Sequence, residues 1–449
     1  MIASWLTIGA MGVSLLVLLI RYIAEPFAPG LAFGPLIRRL IDGRPLLPDP
    51  IEDSSTANRN LRRRLRKKEW ALHNQLQLIA WVVCTALMSR LIIFTAALVG
   101  CGLNGNLLAF FTDFKNHWIR WDAIGYLSIA DYGYTMDNQA YMVLMPFYPL
   151  LTKLFSFFFL GNTALAATVL SNLALIGSGW ALHMLVQEKQ GQLAARRAVY
   201  LLMFCPLSVF FSVPYAESLF LFLTLLSILL ARRQKFIAAV FVGMMAAFTR
   251  LAGILTIIPV MLEVWKYEHS IHLWPRHKSR CITRLVLYSL MVLLISLGFF
   301  GYMLVNYMAM GDPLAFIRVQ AESWNQTFGS LGNTIRYSIE SMFRNDSAVW
   351  MTGVWLPQSA LILLAVALLL VISIYVYPAD GLYAWCYLTM TLAPTWLLTG
   401  PRMILCMYAL YPMLSRASRK TWVYGSLLAL SLLLMIVCSY MYAVVGNIL

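Results

Sequence analysis

A chain of 449 residues that is 61% hydrophobic and 12% charged, with a mean hydropathy of +0.73, lacks the balance of a soluble domain and reads as a polytopic membrane protein. The net charge of +15 would suggest nucleic acid in a soluble protein. Here the basic residues sit mostly in short loops between apolar runs, the bias of cytoplasmic loops, which argues against a nucleic-acid partner.

Ile2 to Ile23 is apolar, long enough to span, and followed by no small-residue cleavage site, so a retained helix is expected. Glu25 to Gln75 is polar and holds Arg38, Arg39, Arg44, Arg59 and the run LRRRLRKKEW at 61–70. Such a run beside a helix start belongs on the cytoplasmic side, as a topology signal or an anionic-lipid patch. Residues 1–75 thus read as an extra N-terminal helix and basic segment ahead of a transmembrane domain over 76–449.

The span from about Leu76 to Cys101 then runs outward and leaves Gly102 to Tyr141 outside. Met145 to Leu160 is short, opens with Pro146 and Pro149, and reads as a partial or re-entrant helix. Thr163 to Val186 descends to a basic loop. Ala198 to Ser212 rises and Tyr215 to Leu230 descends to ARRQK, so the break SVPYAES lies at the outer face. Phe236 to Trp265 has basic stretches at both ends. One helix would leave them on opposite sides, so a hairpin of two half-length helices is expected, with Thr249-Arg250 near its apex. Leu285 to Met308 rises to a second outer loop, Gly311 to Trp350. Val354 to Tyr377 descends, Gly381 to Leu398 rises to a GPR turn at 400–402, Met403 to Leu414 descends and Trp422 to Val445 rises last. The expectation is an all-α membrane protein of about ten full spans plus partial helices, without an internal repeat. The seven cysteines lie mostly inside apolar runs, with neither metal spacing nor a disulfide framework.

The residues with most chemistry lie between His117 and Leu151. Trp118, Asp122, Tyr126 and Ile129 fall at i, i+4, i+8 and i+11, the spacing of one helix face. A carboxylate on an aromatic stripe at a membrane surface is costly without a task, and its natural tasks are general base, metal ligand or ion-pair partner. Asp131, nine residues on, falls on the opposite face of such a helix and would share its face with Arg120. It reads as a structural charge; Asp113 and Asp137 are weaker candidates. Glu217 opens a helix after Pro214, where it could offset the dipole, bind a hydroxyl or pair with an arginine. Arg250 and Arg402 are arginines at depth or at an outer turn. Tyr126, Tyr134, Trp324 and the Phe147-Tyr148 pair suit either sugar stacking or interfacial anchoring, and His117 reads as a hydrogen-bonded interfacial histidine. No Asp-rich or His-rich cluster appears, so neither a tightly bound metal nor a cofactor is expected.

Several stretches also carry a resemblance. RWDAIGYLSIADYGY at 120–134 is followed by PFYPLL at 146–151, PLSVFFSVPYAESLF at 206–220, FTRLAG at 248–253, GDPLAF at 311–316 and GPRMIL at 400–405. In this order they resemble the PIG-V family of mannosyltransferases over roughly residues 75–420. The resemblance implies a GT-C-type glycosyltransferase fold. It also implies inverting transfer of mannose from a polyprenyl-phosphate donor to a hydroxyl of a glycolipid or surface-glycan acceptor, at the extracytoplasmic face of a bacterial plasma membrane. In that reading Asp122 is the base, unless it is an ion-pair partner of Arg120 or of a distant arginine. Arg250 and Arg402 hold the donor phosphate. Glu217, Tyr126, Tyr215 and Trp324 face the acceptor or sugar, and Arg120, Trp121 and Asp131 orient the loop. Gly125 departs from the pattern, which usually has His or another polar residue there, so any help such a residue gives the Asp is absent or supplied elsewhere. Two other readings stand beside this one: a transporter or flippase of lipid-linked sugars, and a structural subunit of a larger complex.

Overall fold

The computed structural model describes residues 14–22, 57–103, 117–270, 278–329, 331–344, 351–372, 375–395 and 400–444. Helix dominates, and no strand forms among the described residues apart from an isolated antiparallel bridge between Phe328 and Pro394. A bilayer offers no water to backbone groups, and helices satisfy them within one segment.

The first long helix, α1 (Ala57–Leu103), runs unbroken for 47 residues. The basic run at 61–70 lies within this helix; residues 25–56 lie outside the described residues. After it come α2 (Asp122–Tyr132), α3 (Phe147–Ser156), α4 (Thr163–Gln190), α5 (Gln192–Met203) and α6 (Glu217–Arg232). Next are α7 (Phe236–Thr249), α8 (Ile257–Ser270), α9 (Lys278–Leu293) and α10 (Leu297–Met310). The second expected outer loop holds α11 (Ala315–Trp324) and α12 (Leu331–Arg344); residues 345–350 lie outside the described residues. The chain ends with α13 (Leu356–Ile372), α14 (Pro378–Thr391), α15 (Gly400–Leu405), α16 (Leu410–Ala417) and α17 (Thr421–Val444).

Among the described residues 4 helical runs are long and apolar enough to cross a membrane: Asn74–Leu103, Thr163–Gln190, Ile282–Met310 and Thr421–Val444. Phe147–Phe159, Phe236–Thr249 and Leu356–Val371 are shorter apolar helices. Three expected spans are broken. The rise over 198–212 stops at Met203 ahead of Pro206, since the residue before a proline is pushed out of the helical region. The rise over 381–398 ends at Thr391, ahead of Pro394. The descent over 403–414 is two short helices, with Pro412 tolerated in the first turn of the second.

The hairpin expected over 236–265 is present. Helix α7 stops at Arg250, whose backbone is extended, and the chain folds back into α8. The Phe236 and Tyr267 rings, at the two far ends, meet at 5.3 Å. Only glycine allows the fold-back at 253, because a Cβ there would lie 2.2 Å from the Ala246 carbonyl carbon.

Three segments carry a charge at each end, with opposite signs. Helix α6 begins at Glu217 and ends at Arg232. The hairpin has Arg250 at its bend and Glu263 toward its far end, and the 378–405 segment has Asp380 at its start and Arg402 near its end. At one end Glu217 pairs with Arg250 at 2.8 Å and with Arg402 at 3.1 Å. At the other, Arg232 pairs with Glu263 at 3.3 Å and Asp380 at 3.7 Å, and donates to the Leu185 carbonyl of α4. Tyr377 and Tyr408 complete that far cluster by donating to Glu263 and Asp380, each at 2.9 Å. Along α6 the two clusters are ~22 Å apart at 1.5 Å per residue.

Arg232→Met should therefore strand two carboxylates inside the protein and cost ~3–5 kcal/mol, the usual penalty for removing one partner of a buried pair. Thermal unfolding in detergent measures it. An unchanged midpoint would show that the far cluster does not hold these segments together.

Candidate active site

The near cluster is built around a helix start. Helix α2 begins at Asp122, and the residue before it, Trp121, has φ 49° and ψ −121°. The chain turns there, with the Ile124 N–H donating to the Trp121 carbonyl at 2.9 Å. This corrects the four-residue stripe: Trp118 precedes the turn and is not on the helix, whereas Asp122, Tyr126 and Ile129 are. It also removes the face that Arg120 and Asp131 were expected to share, because Arg120 precedes the helix too.

Asp122 Oδ2 accepts from Arg402 Nη2 at 2.6 Å. Arg402 Nε lies 3.1 Å from Glu217 Oε1, and the same oxygen accepts from Arg250 Nη1 at 2.8 Å. The result is an unbroken chain of alternating charge, Asp122, Arg402, Glu217 and Arg250, drawn from four segments distant in sequence. Side-chain exposure falls from 25% at Asp122 to 6% at Arg402 and 1% at Glu217, and is 14% at Arg250. Glu217 Oε2 is buried and makes no hydrogen bond among the described residues. Burial works against the charge on Arg402, but Asp122 and Glu217 more than offset it and hold its pKa well above the ordinary value.

Aromatic rings floor this chain. The Arg402 guanidinium lies 4.9 Å from the Tyr215 ring centre and 5.5 Å from that of Phe210, and Arg250 lies 5.9 Å from that of Phe220. Phe220 is one helical turn beyond Glu217, a spacing the sequence displays. The Tyr215 hydroxyl donates to the Arg120 carbonyl at 3.0 Å, which ties the 208–216 break to the turn before Asp122. Tyr126 packs between Tyr148 and Tyr215, at 5.1 and 6.4 Å. Both Tyr126 and Tyr215 are buried, so they wall the charged chain and present no open ring face. Helix α15, which carries Arg402, is itself positioned. Gly400 N–H donates to Gln358, and Gln358 donates to Ser338 of α12. The Arg250 guanidinium also touches the Met403 sulfur, and Tyr387 donates to the Met403 carbonyl.

Other candidates are placed elsewhere. Asp131 is exposed and accepts from Thr163 at the start of α4, at 3.3 Å. Arg120 donates to the Ala443 carbonyl of α17 at 3.0 Å, and His117 Nδ1 lies 3.0 Å from the same oxygen. The Trp121 ring packs edge-on against Tyr442. The Trp324 indole donates to the Ala140 carbonyl, holding α11 to the 136–143 turn; it makes no polar contact with the charged chain among the described residues. Tyr134 donates to the Leu144 carbonyl, and Phe147 packs on Phe248. Asp113 and the Asp137 side chain lie outside the described residues. At Gly125 a Cβ would lie 2.6 Å from Leu144 and 2.8 Å from Tyr141, so apolar contacts fill the place where the resemblance leads one to expect a polar residue.

Glu217→Gln should leave two largely buried guanidinium groups without their shared anion and destabilise the protein by ~3–5 kcal/mol. Asp131→Asn should stay within ~0.5 kcal/mol. Parallel thermal melts decide, and equal losses would mean the charged chain is no more central than a surface bond. Searched against protein-family models and against curated proteins, the sequence matches none.

Proposed function

We propose that the protein is a GT-C-type inverting glycosyltransferase that moves mannose from a polyprenyl-phosphate donor to a hydroxyl of a glycolipid or surface-glycan acceptor. One observation carries the reading. The stretches 120–134, 206–220, 248–253 and 400–405, four of those on which the family resemblance rests, each contribute one member of the chain Asp122, Glu217, Arg250 and Arg402. Residues that resemble a family's motifs singly meet here in one ionic unit.

The chemistry needs few parts. The acceptor oxygen forms a bond to the anomeric carbon while the bond from that carbon to the phosphate oxygen breaks, its electron pair leaving with the phosphate. The hydroxyl proton passes to Asp122, the more exposed of the two acids in the ionic unit. The leaving group is already a stable phosphate, so it needs positive charge more than an acid, and the planar forks of Arg402 and Arg250 suit it. Glu217 keeps the two guanidiniums at one place. The donor tail lies in the bilayer. Loop charge supports an extracytoplasmic site: Arg233 and Lys235 follow α6 at the end opposite Glu217.

Purified protein given polyprenyl-phosphate mannose and hydroxyl-bearing glycolipids should form the glycoside. Asp122→Asn should lower turnover by ~10²–10⁴, the share a positioned base supplies, while Asp131→Asn retains it. Asp122→Asn with wild-type turnover would remove Asp122 as base. Arg402→Lys keeps the charge but loses the fork, so the donor KM should rise. A cysteine at Gln326 should react with an impermeant reagent from outside and one at Arg233 should not; the reverse pattern would invert the topology.

A further inference from the structure

Among the described residues, both arginines of the charged chain are already paired with carboxylates. Asp122 and Glu217 contribute two negative charges and Arg250 and Arg402 two positive, so the chain sums to zero. An anionic ligand in such a place must displace a carboxylate, because adding a charge to a neutral buried unit without compensation is costly.

Geometry decides which carboxylate leaves. Glu217 is 1% exposed and one of its oxygens is held by both arginines. Asp122 has a quarter of its side chain exposed and reaches Arg402 through one oxygen on one terminal nitrogen. It is also the first residue of a helix of 11 residues. The residue before it, Trp121, holds a positive φ that a bulky side chain rarely adopts. Trp121 is itself partly exposed. Asp122 is therefore the carboxylate at the rim, next to the strained residue, and Glu217 the one held inside.

We infer that the Asp122–Arg402 pair is a latch: a phosphodiester entering the site takes Arg402 from Asp122 and thereby frees the carboxylate to act as base. This rests on the transferase reading above and adds an order of events to it. While the pair is closed, Asp122 Oδ2 accepts from the Arg402 guanidinium, so the acceptor hydroxyl finds that oxygen already occupied. It becomes available when donor phosphate is in place, so the base is released only when there is a sugar to transfer. Linkage makes the effect reciprocal: whatever removes Asp122 from Arg402 tightens anion binding by the same factor.

The test uses the whole protein in detergent and the methyl ester of a short polyprenyl phosphate, a phosphodiester without a sugar, with binding measured by calorimetry. Asp122→Asn keeps size but not charge, and should bind this probe about tenfold more tightly than wild type, within the range of a two-site coupling. Arg402→Gln should bind it much more weakly. If wild type binds and Asp122→Asn binds equally or less well, the latch is wrong and the transferase reading survives. If neither binds the probe, the phosphate site itself is wrong and both fall. If neither Asp122→Asn nor Asp122→Ala can be recovered folded, the fold needs the pair closed, and it is not a latch.

Discussion

Charge placed in a low-dielectric interior has to be neutralised where it stands, and that requirement organises this protein. Glu217 and Arg232 sit at opposite ends of α6, one buried against two arginines and the other against two carboxylates. Each end of the helix therefore selects its neighbours by sign. The hairpin can only approach with Arg250 near Glu217 and Glu263 near Arg232, and the 378–405 segment only with Arg402 and Asp380 in the matching order. Sliding any of the three by one turn, ~5.4 Å, would break contacts in both clusters at once. Apolar packing between membrane helices discriminates poorly between such registers, since lipid tails are as apolar as leucine. The ion pairs fix the register, as buried polar groups do in other helical assemblies.

The far cluster thus bears on the near one. Two tyrosines, Tyr377 and Tyr408, satisfy Glu263 and Asp380, and Arg232 also binds a carbonyl of α4. With those groups satisfied, the segments that bring Arg250 and Arg402 to Glu217 are anchored ~22 Å away as well as at the site. A second layer of hydrogen bonds works from the other side: Gln358 joins α15 to α12, and Tyr215 joins the 208–216 break to the turn before Asp122. A site whose reacting groups come from separate segments needs such support to hold its geometry.

What the sequence makes legible follows from which signals are local. Charge bias at both ends of 236–265 was enough for the hairpin and for Arg250 at its bend. Asp122, Glu217, Arg250 and Arg402 could each be singled out as a costly charge, but nothing local says that they meet, and Glu217 was as plausible a helix-dipole charge as a bridge. The stripe through Trp118 failed because periodicity assumes one helix, and the turn at Trp121 interrupts it in a backbone conformation no residue pattern announces. The spans over 198–212, 381–398 and 403–414 were drawn by apolarity, which is blind to a break after Met203, Thr391 or Leu405 when the broken ends are buried in protein. For Trp324 the sequence offers only residue type, an aromatic in an outer loop, whereas its position depends on a carbonyl at Ala140.

Exposure along the charged chain divides the site into a part that holds and a part that can move. Glu217 and Arg402 are nearly inaccessible, and Glu217 is shared by two cations, so displacing it would leave Arg250 without its carboxylate and Arg402 with Asp122 alone. Asp122 sits at the rim, on a short helix whose first residue it is, after a strained turn. Low-stability elements are where functional motion is drawn from, and the most buried contacts are the last to open. Gly125 fits the same division. By leaving room for Tyr141 and Leu144 it packs α2 against the 136–144 stretch one turn beyond the strained residue, so the helix is held there while its first residue stays at the rim. The fold thus fixes the two cations and leaves one of their two anions at the edge.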